Sequence, residues 1–259
     1  MAAVLKSSIE GGVARVSLAR PEVRNAFNAE LIAALHGRFE ELSRERGVRA
    51  VVLAGEGAVF CGGADVNWMR GALDLSYDEN VADAEAMSDM FRAIDRCAVP
   101  VVARVHGAAI GGGAGLAAVC DVAVASAETV FGFTEVKLGI IPAVISPFVL
   151  AKIGTSHARA LFLTGRRFDA AHAKSIGLVH EVVAAADLDA AVEGVLAELR
   201  TAGPQATSAA KALIAEVNEA EYAASRALTA AAIAKQRTSE EGQEGLHAFL
   251  ERRPARFTQ

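Results

Sequence analysis

Three consecutive glycines, Gly111 to Gly113, constrain this chain most, because they join an apolar strand-like run to an apolar helix-like run. The stretch reads AAIGGGAGLAAVCD over residues 108–121. Glycines in a row indicate a positive φ angle or a close approach of the backbone to another group. No ionisable side chain follows them before Cys120. The turn therefore either packs tightly or acts through its own peptide groups.

Strand-like runs alternate with longer helical runs through the first half of the chain, and no Gly/Ser-rich linker or repeat interrupts them. The predicted strands are 12–19, 48–55, 100–107, 121–126, 129–133 and 178–183. The predicted helices are 27–46 with Asn28 as N-cap, 78–97, and a short one through residue 119. This alternation predicts a layered α/β fold, and 259 residues are enough for one large core.

After Pro142 the alternation of strands and helices gives way to several short predicted helices, which extend to residue 177. From Asp187 onward the pattern is almost wholly helical. Start signals for these helices are Asp187, Pro204 and Ser239. We expect such a helical tail to pack on a neighbouring subunit.

Composition excludes several classes of function. The net charge is −5 and no long basic run is present, which argues against nucleic acid as the main partner. The sequence contains no run of 18 apolar residues, so it does not predict a membrane span. The N-terminal residues lack the features of a signal or transit peptide. The three cysteines, Cys61, Cys97 and Cys120, have neither metal-ligand nor disulfide spacing. We therefore expect a cytoplasmic protein with reduced, buried thiols and no metal site.

A second glycine turn, FCGGADVNWM at 60–69, also follows a predicted strand. Both turns place free backbone N–H groups at a strand end, and the first also opens a helix whose dipole favours negative charge. Two such turns facing each other would form an oxyanion hole. The phosphate-binding patterns G-x-x-x-x-G-K-[ST] and G-x-G-x-x-G in a βαβ setting do not fit. On the glycines alone, an oxyanion hole and simple helix–sheet packing both remain open.

Five ordered motifs carry a resemblance to a known family. They are FCGGADVNWM, HGAAIGGGAGLAAVCDVAVAS, FGFTEVKLGIIP, FLTGRRFDAAHAKSIGLVHEVV and EGLHAFLERR. Together they resemble the crotonase (enoyl-CoA hydratase/isomerase) superfamily over residues 4–257. The resemblance implies an α/β spiral of ββα units over 1–190, which holds an acyl-CoA site, and a C-terminal helical trimerisation region over 191–259. It further implies trimers or hexamers, and acyl-CoA thioesters as ligands without a separate cofactor.

The resemblance also assigns the catalytic groups. The two oxyanion donors are the N–H groups of Ala64 and Gly112, which explains why the glycine turn needs no reactive side chain. The acid/base is Glu135 in FGFTEV. Hydratases of this family usually carry a second glutamate two residues after the triple glycine, and here that position is Gly115. A solvated surface role for Glu135 is the alternative on composition alone.

Within the superfamily, these motifs are most similar to bacterial 3-methylglutaconyl-CoA hydratases, in which glycine is familiar at the position of Gly115. This similarity implies interconversion of 3-methylglutaconyl-CoA and 3-hydroxy-3-methylglutaryl-CoA. A Δ3–Δ2 enoyl-CoA isomerase, which needs one base, and a non-catalytic RNA-binding protein are the competing hypotheses. Candidates to pair with a distal acyl carboxylate are Arg70, Arg104, His106 and Lys137, each of which is otherwise an ordinary surface residue.

Contacts with CoA or substrate are carried over by motif position. The residues expected to make them are Val23, Arg24, Ala64, Asp65, Val66, Asn67, Gly111, Gly112, Gly115, Phe249 and Arg252. Arg24 can meet a phosphate. The alternatives are core packing for Phe249 and a solvated charge for Arg252. Trp68 is expected to wall the acyl pocket or to fill the core.

Overall fold

The computed structural model describes residues 3–258, except the side chains of 222 and 223. Its strands are β1 Leu5–Glu10, β2 Val13–Leu18, β3 Ala50–Gly55, β4 Val101–Val105, β5 Ala108–Ile110, β6 Val122–Ser126, β7 Val130–Gly132, β8 Arg167–Asp169 and β9 Glu181–Val183. Its α-helices are α1 Ala29–Leu42, α2 Val66–Gly71, α3 Tyr77–Asp95, α4 Gly112–Val119, α5 Ser146–Thr164, α6 Ala170–Ser175, α7 Leu188–Thr201, α8 Pro204–Glu219, α9 Tyr222–Thr238 and α10 Glu240–Glu251.

The strands form two sheets that the chain visits in turn. The larger sheet has the order β1-β2-β3-β4-β6-β9, and the smaller has the order β5-β7-β8. All pairs of the larger sheet are parallel except β1 with β2. Each of β4 and β6 in the large sheet is followed by a strand of the small sheet and then by a helix. The chain thus winds as a spiral of ββα units, and the predicted α/β spiral is confirmed.

Both faces of the central strands of the large sheet are buried, whereas the edge strand β1 is largely exposed. On one face, Val51 and Leu53 of β3 join the main core with helices α1, α3, α4 and α5. On the other, Val52 packs with Leu188 and Val192 of α7. Residues of opposite parity on a strand point to opposite faces, so a strand covered on both sides is apolar throughout. This explains why 48–55 is predicted as a buried strand.

Most predicted helix start signals act locally as expected; Asp187 precedes α7, but its side chain makes no capping hydrogen bond. The Asn28 side chain accepts a hydrogen bond from the Leu31 N–H at 2.9 Å and begins α1. Ser239 caps α10 by accepting from the Gly242 N–H at 3.0 Å, and Pro204 is the first residue of α8. The boundary predicted between residues 190 and 191 falls inside α7, and this division of the chain stays a prediction.

Some elements differ from the sequence prediction. β1, β5, β8 and α2 were not predicted, because each is short or polar and lacks a clear apolar period. The two short helices predicted around residues 143–165 are joined as α5, with a break at Gly154, where φ is 71° and ψ is 163°.

The three cysteines are free and buried, as predicted. Burial raises the pKa of the Cys61 and Cys120 thiols to about 12, so both are unreactive at neutral pH. Within residues 3–258, no helix is long and apolar enough to cross a membrane.

Candidate active site

The two glycine turns lie side by side. The Cys61 N–H donates to the Ala108 carbonyl at 3.1 Å, and the Ile110 N–H donates to the Cys61 carbonyl at 3.1 Å. These bonds extend the small sheet by a bridge between Cys61 and Ala109. The stretch that leads to Ala64 is therefore held parallel to the stretch that leads to Gly112.

The N–H of Ala64 is left unpaired by this arrangement. The Phe27 N–H donates to the Gly63 carbonyl at 2.7 Å, and the Asp65 N–H donates to the Phe27 carbonyl at 2.9 Å. The first bond uses the carbonyl of the same peptide group as the Ala64 N–H, and the second uses the next N–H along the chain. Among residues 3–258 this N–H has no hydrogen-bond partner, which makes it free to bind a ligand oxygen.

Gly112 is the first residue of α4, so its N–H has no partner within the helix. Gly111 precedes it with φ of 54°, a conformation that glycine adopts without strain, and its N–H donates to the Gly132 carbonyl at 2.7 Å. The Gly112 N–H has no partner anywhere in the described chain. The positive end of the α4 dipole adds to its attraction for a developing oxyanion.

Glu135 follows β7 and faces the same region. Its Oε2 atom is buried and has no hydrogen-bond partner among the described residues. A Cβ placed on Gly111 would lie 3.0 Å from the Glu135 Oε1, so the carboxylate lies directly against the glycine turn. Burial raises the pKa of the Glu135 carboxyl above its ordinary value. An unpaired, desolvated carboxylate of this kind is suited to proton transfer.

These groups share one cavity of about 420 Å³. Its lining includes Gly62, Gly63, Ala64, Trp68, Met69, Ala72, Asp83, Ala84, Met87, Ile110, Gly111, Gly112, Thr134, Glu135, Leu138, Ile140, Ile141, Pro142, Ala143, Val144 and Ile145. Most of these residues are apolar, and no Lys, Arg or His is among the described residues that line it. The cavity thus combines two peptide donors, one unpaired carboxylate and an apolar wall, a combination that suits an acyl thioester.

The chain is similar to known proteins. A sequence model of the family described as "Enoyl-CoA hydratase/isomerase" matches residues 8–259. The chain is 36% identical over 212 residues to the enoyl-CoA hydratase ACTT6 of Alternaria alternata, covering 82% of this chain and 69% of that protein. It belongs to the enoyl-CoA hydratase/isomerase (crotonase) family.

Solved structures agree with this membership. The AtuE structure from Pseudomonas aeruginosa is 37% identical, with a TM-score of 0.96 over 99% of this chain and 100% of that one. An enoyl-CoA hydratase from Shewanella pealeana is 36% identical, with a TM-score of 0.93 over 98% and 95% of the two chains. Members of this family act on acyl-CoA substrates, and the cavity is where such a substrate would be bound.

Gly115 is buried but does not line the cavity. A Cβ at this position would overlap the Ile145 Cγ2 methyl and lie 3.2 Å from Phe91 Cε1. Ile145 itself lines the cavity. The family's second glutamate position is therefore closed by the Ile145 side chain, and the predicted contact of Gly115 with substrate has no support in the geometry.

Asp65 and its neighbours lie beside the donor rather than in the cavity. The Asp65 carboxylate is buried and pairs with the Arg20 guanidinium at 2.7 Å. It also accepts from the Asn67 N–H at 2.8 Å, which caps α2. The hydrogen bond from Arg20 lowers the pKa of Asp65. Its side chain therefore supports the Ala64 turn, whereas Val66 and Asn67 are exposed next to it.

Of the remaining predicted CoA contacts, Arg24, Phe249 and Arg252 are exposed and Val23 is half-buried. Arg24 is exposed, and its carbonyl accepts from the Gly62 N–H at 2.8 Å, which places it at the cavity rim, with Val23 half-buried next to it. Phe249 is 81% exposed on α10, and Arg252 ends that helix with φ of 56°. Core packing of Phe249 within its own chain is thereby ruled out.

None of the four cations proposed for a distal carboxylate lines the cavity. Arg104 pairs with Asp189 at 2.5 Å, and His106 Nε2 lies 2.9 Å from the Gly57 carbonyl oxygen. Arg70 donates to the Asn67 side chain at 3.0 Å, and Lys137 is exposed. Their placement fits the alternative of ordinary surface residues. Trp68 does line the cavity.

Other lining residues were missed by the sequence analysis. Asp83 and Met87 reach the cavity from α3, and Ile140 and Ile141 reach it from the loop after Glu135. The spacing of Asp83 and Met87, four residues apart on a helix, was the one available signal. No group of three His, Cys, Asp or Glu residues within 3–258 could hold a metal ion.

Proposed function

We propose that this protein catalyses the reversible hydration of an enoyl-CoA thioester, and that 3-methylglutaconyl-CoA is its substrate. One observation carries the proposal. The unpaired N–H groups of Ala64 and Gly112 and the unpaired Oε2 of Glu135 belong to one cavity. These are the groups needed to stabilise a thioester enolate and to move a proton at its α-carbon.

The mechanism follows from the roles of these groups. The thioester oxygen accepts hydrogen bonds from Ala64 and Gly112, which lowers the energy of the enolate. Water adds at C3, and Glu135 delivers a proton to C2. In the reverse direction Glu135 removes the C2 proton as hydroxide leaves C3. Burial raises the pKa of Glu135 above that of a solvated carboxyl, which makes its carboxylate a stronger base toward the C2 proton. The thioester carbonyl acts as the electron sink, so the mechanism requires no further cofactor.

The identity of the acyl group rests on the sequence similarity of the motifs and on the apolar cavity. A five-carbon acyl chain that carries a methyl branch suits a wall formed by Leu138, Ile140 and Ile141. Among the described residues, no Lys, Arg or His lines the cavity to pair with the distal carboxylate. The proposal therefore requires that carboxylate to point out of the cavity, toward solvent or a neighbouring subunit.

A second candidate function is Δ3–Δ2 enoyl-CoA isomerisation. The closure of position 115 by Ile145 favours it, because an isomerase moves a proton between C2 and C4 with one base and holds no reactive water.

The test is a substrate panel in ¹⁸O-labelled water. It contains 3-methylglutaconyl-CoA, 3-hydroxy-3-methylglutaryl-CoA, crotonyl-CoA and a 3-enoyl-CoA. We expect label in the product from 3-methylglutaconyl-CoA, and the highest kcat/KM on that substrate. Conversion of the 3-enoyl-CoA without label, and no hydration of the others, would establish the isomerase. A higher kcat/KM on crotonyl-CoA would support the hydratase reaction but contradict 3-methylglutaconyl-CoA as the substrate.

We also propose that the chain assembles as a trimer or as a pair of trimers. Large apolar side chains stand exposed on the C-terminal helices, among them Ile214, Phe249 and Leu250. Exposed apolar patches of this kind mark protein interfaces. Sedimentation equilibrium should give three or six times the mass of 26.9 kDa. A monomer at micromolar concentration would contradict the proposal.

A further inference from the structure

Gly115 occupies the position of the family's second glutamate, and Ile145 fills the space in front of it. The group that would hold the attacking water must therefore be sought elsewhere in the site. Water that attacks C3 needs a group that orients it and accepts its proton. Because Gly115 offers no side chain, any second carboxylate of the site must come from another element.

Asp83 meets this requirement. Together with Glu135 it supplies the carboxylates among the described residues that line the cavity. It is half-buried, and within residues 3–258 its side chain makes no hydrogen bond or ion pair. A carboxylate tied into a structural network, such as that of Asp65, is not free to hold a ligand. Asp83 has no such tie.

The position of Asp83 is determined by its helix. A capping box formed by Ser76 and Glu79 begins α3, and Met90 and Phe91 anchor its later turns in the core. Met87 lies one turn after Asp83 on the same face, since residues four apart on a helix are neighbours. A Cβ built on Gly112 would lie 3.0 Å from the Met87 methyl carbon. Met87 therefore packs against the oxyanion donor Gly112, and Asp83 lies one turn before it on the same face of α3.

We infer that Asp83 is the second carboxylate of this active site and holds the water that adds to C3, an inference that rests on the proposed hydration. As the water oxygen bonds to C3, its proton passes to Asp83. The C2=C3 electron pair moves onto the thioester, whose oxygen is held by Ala64 and Gly112. The enolate then takes the proton of Glu135 at C2. Asp83 returns its proton to solvent, Glu135 regains one, and the net change is the addition of one water.

The experiment separates water addition from α-proton transfer. Hydration of the substrates identified by the panel is measured beside exchange of the C2 protons of butyryl-CoA in D₂O, which involves no addition of water. We expect Asp83→Asn to lower the kcat of hydration about 100-fold and to change the exchange rate less than about threefold. Glu135→Gln should lower both rates about 10³-fold.

Two further variants control the result. Glu85 lies on α3, is exposed and does not line the cavity, so Glu85→Gln removes the same charge without touching the site. It should retain wild-type hydration and exchange. Asp83→Glu keeps a carboxylate and should retain at least tenfold more hydration than Asp83→Asn.

Equal hydration by the wild type and Asp83→Asn, or parallel loss of hydration and exchange in Asp83→Asn, would overturn the role of Asp83. A wild-type protein that exchanges C2 protons but hydrates no enoyl-CoA would instead overturn the proposed function.

Discussion

The cavity has two walls of different construction. The donor wall, which consists of Gly63, Ala64, Gly111 and Gly112, stands on fully buried side chains such as Phe27 and Cys61. The outer wall, which consists of Leu138, Ile140 and Ile141, is largely exposed. The donor wall is held by backbone hydrogen bonds between neighbouring turns. Main-chain groups that must aim at one oxygen atom are thus fixed by the core, whereas the surface that meets the variable acyl chain is not.

Because the two walls are built differently, we expect substitutions in them to have different effects. A change at the donor wall or at Glu135 should alter the rate or the stability of the protein, because these groups are preorganised by packing. A change at the outer wall should alter the choice of substrate with little cost in stability. The following predictions test that separation.

The largest effect is expected for Glu135→Gln. The substitution keeps the shape of the side chain and removes the group that moves the proton, so kcat should fall about 10³-fold while acyl-CoA binding stays within about threefold. Steady-state kinetics and calorimetric titration measure the two quantities. Glu128→Gln, at an exposed position outside the cavity, is the matched control and should be silent. Equal losses of binding and of kcat would show that Glu135 only positions the ligand.

The next largest effect is expected for Ala64→Pro. Proline removes an N–H that has no partner within residues 3–258, so the fold loses no hydrogen bond. Loss of one oxyanion donor should lower kcat by about 10²–10³. Ala64→Gly keeps the N–H and should stay within about threefold of the wild type. If proline and glycine at this position gave the same kcat, Ala64 would not be a donor.

The tightness of packing behind the donor wall can be measured at Gly115, on the helix α4 that begins at Gly112. The methyl group introduced by Gly115→Ala would overlap the Ile145 side chain. We therefore expect the free energy of unfolding to fall by about 1–3 kcal/mol. Ile145→Ala should cost about 2–5 kcal/mol alone, because Ile145 is buried. The double variant should be more stable than the sum predicts by about 1 kcal/mol or more, since the methyl group then fills the space left by isoleucine. Strict additivity in denaturant unfolding would contradict this packing.

A smaller effect on stability is expected from Glu135 itself. Burial raises its pKa in the folded state, so the folded protein binds the proton more tightly than the unfolded chain does. The resulting penalty is absent below the unfolded pKa of about 4.3, grows as pH rises to the folded pKa and is complete above it. Glu135→Gln should therefore be more stable than the wild type at pH 7 by on the order of 1 kcal/mol. The two proteins should converge near pH 4 in thermal unfolding, and a difference that is constant with pH would count against the desolvated carboxylate.

The donor wall was largely predictable from the sequence, and the outer wall was not. The glycine turns and Glu135 stand in the short motifs that carry the family resemblance, so their residues could be named in advance. Asp83 is one of several acidic residues on α3, and only the packing of that helix decides which of them faces the cavity. The pairing of Asp65 with Arg20 joins residues 45 positions apart, and the closure of Gly115 by Ile145 joins residues 30 apart. Such contacts depend on the winding of the chain, which no local pattern records.

The smallest effect on stability is expected at the outer wall. Ile141 is 71% exposed and lines the cavity, so Ile141→Ala should change the free energy of unfolding by less than about 0.5 kcal/mol. It should still raise the KM for longer or branched acyl-CoAs by about fivefold, because a methylene contact in an apolar pocket is worth about 1 kcal/mol or more. Crotonyl-CoA, with its short chain, should be unaffected. Kinetics on both substrates, together with denaturant unfolding, give the answer. If Ile141→Ala destabilised the protein as much as Ile145→Ala, the outer wall would be part of the core and the distinction between the two walls would fail.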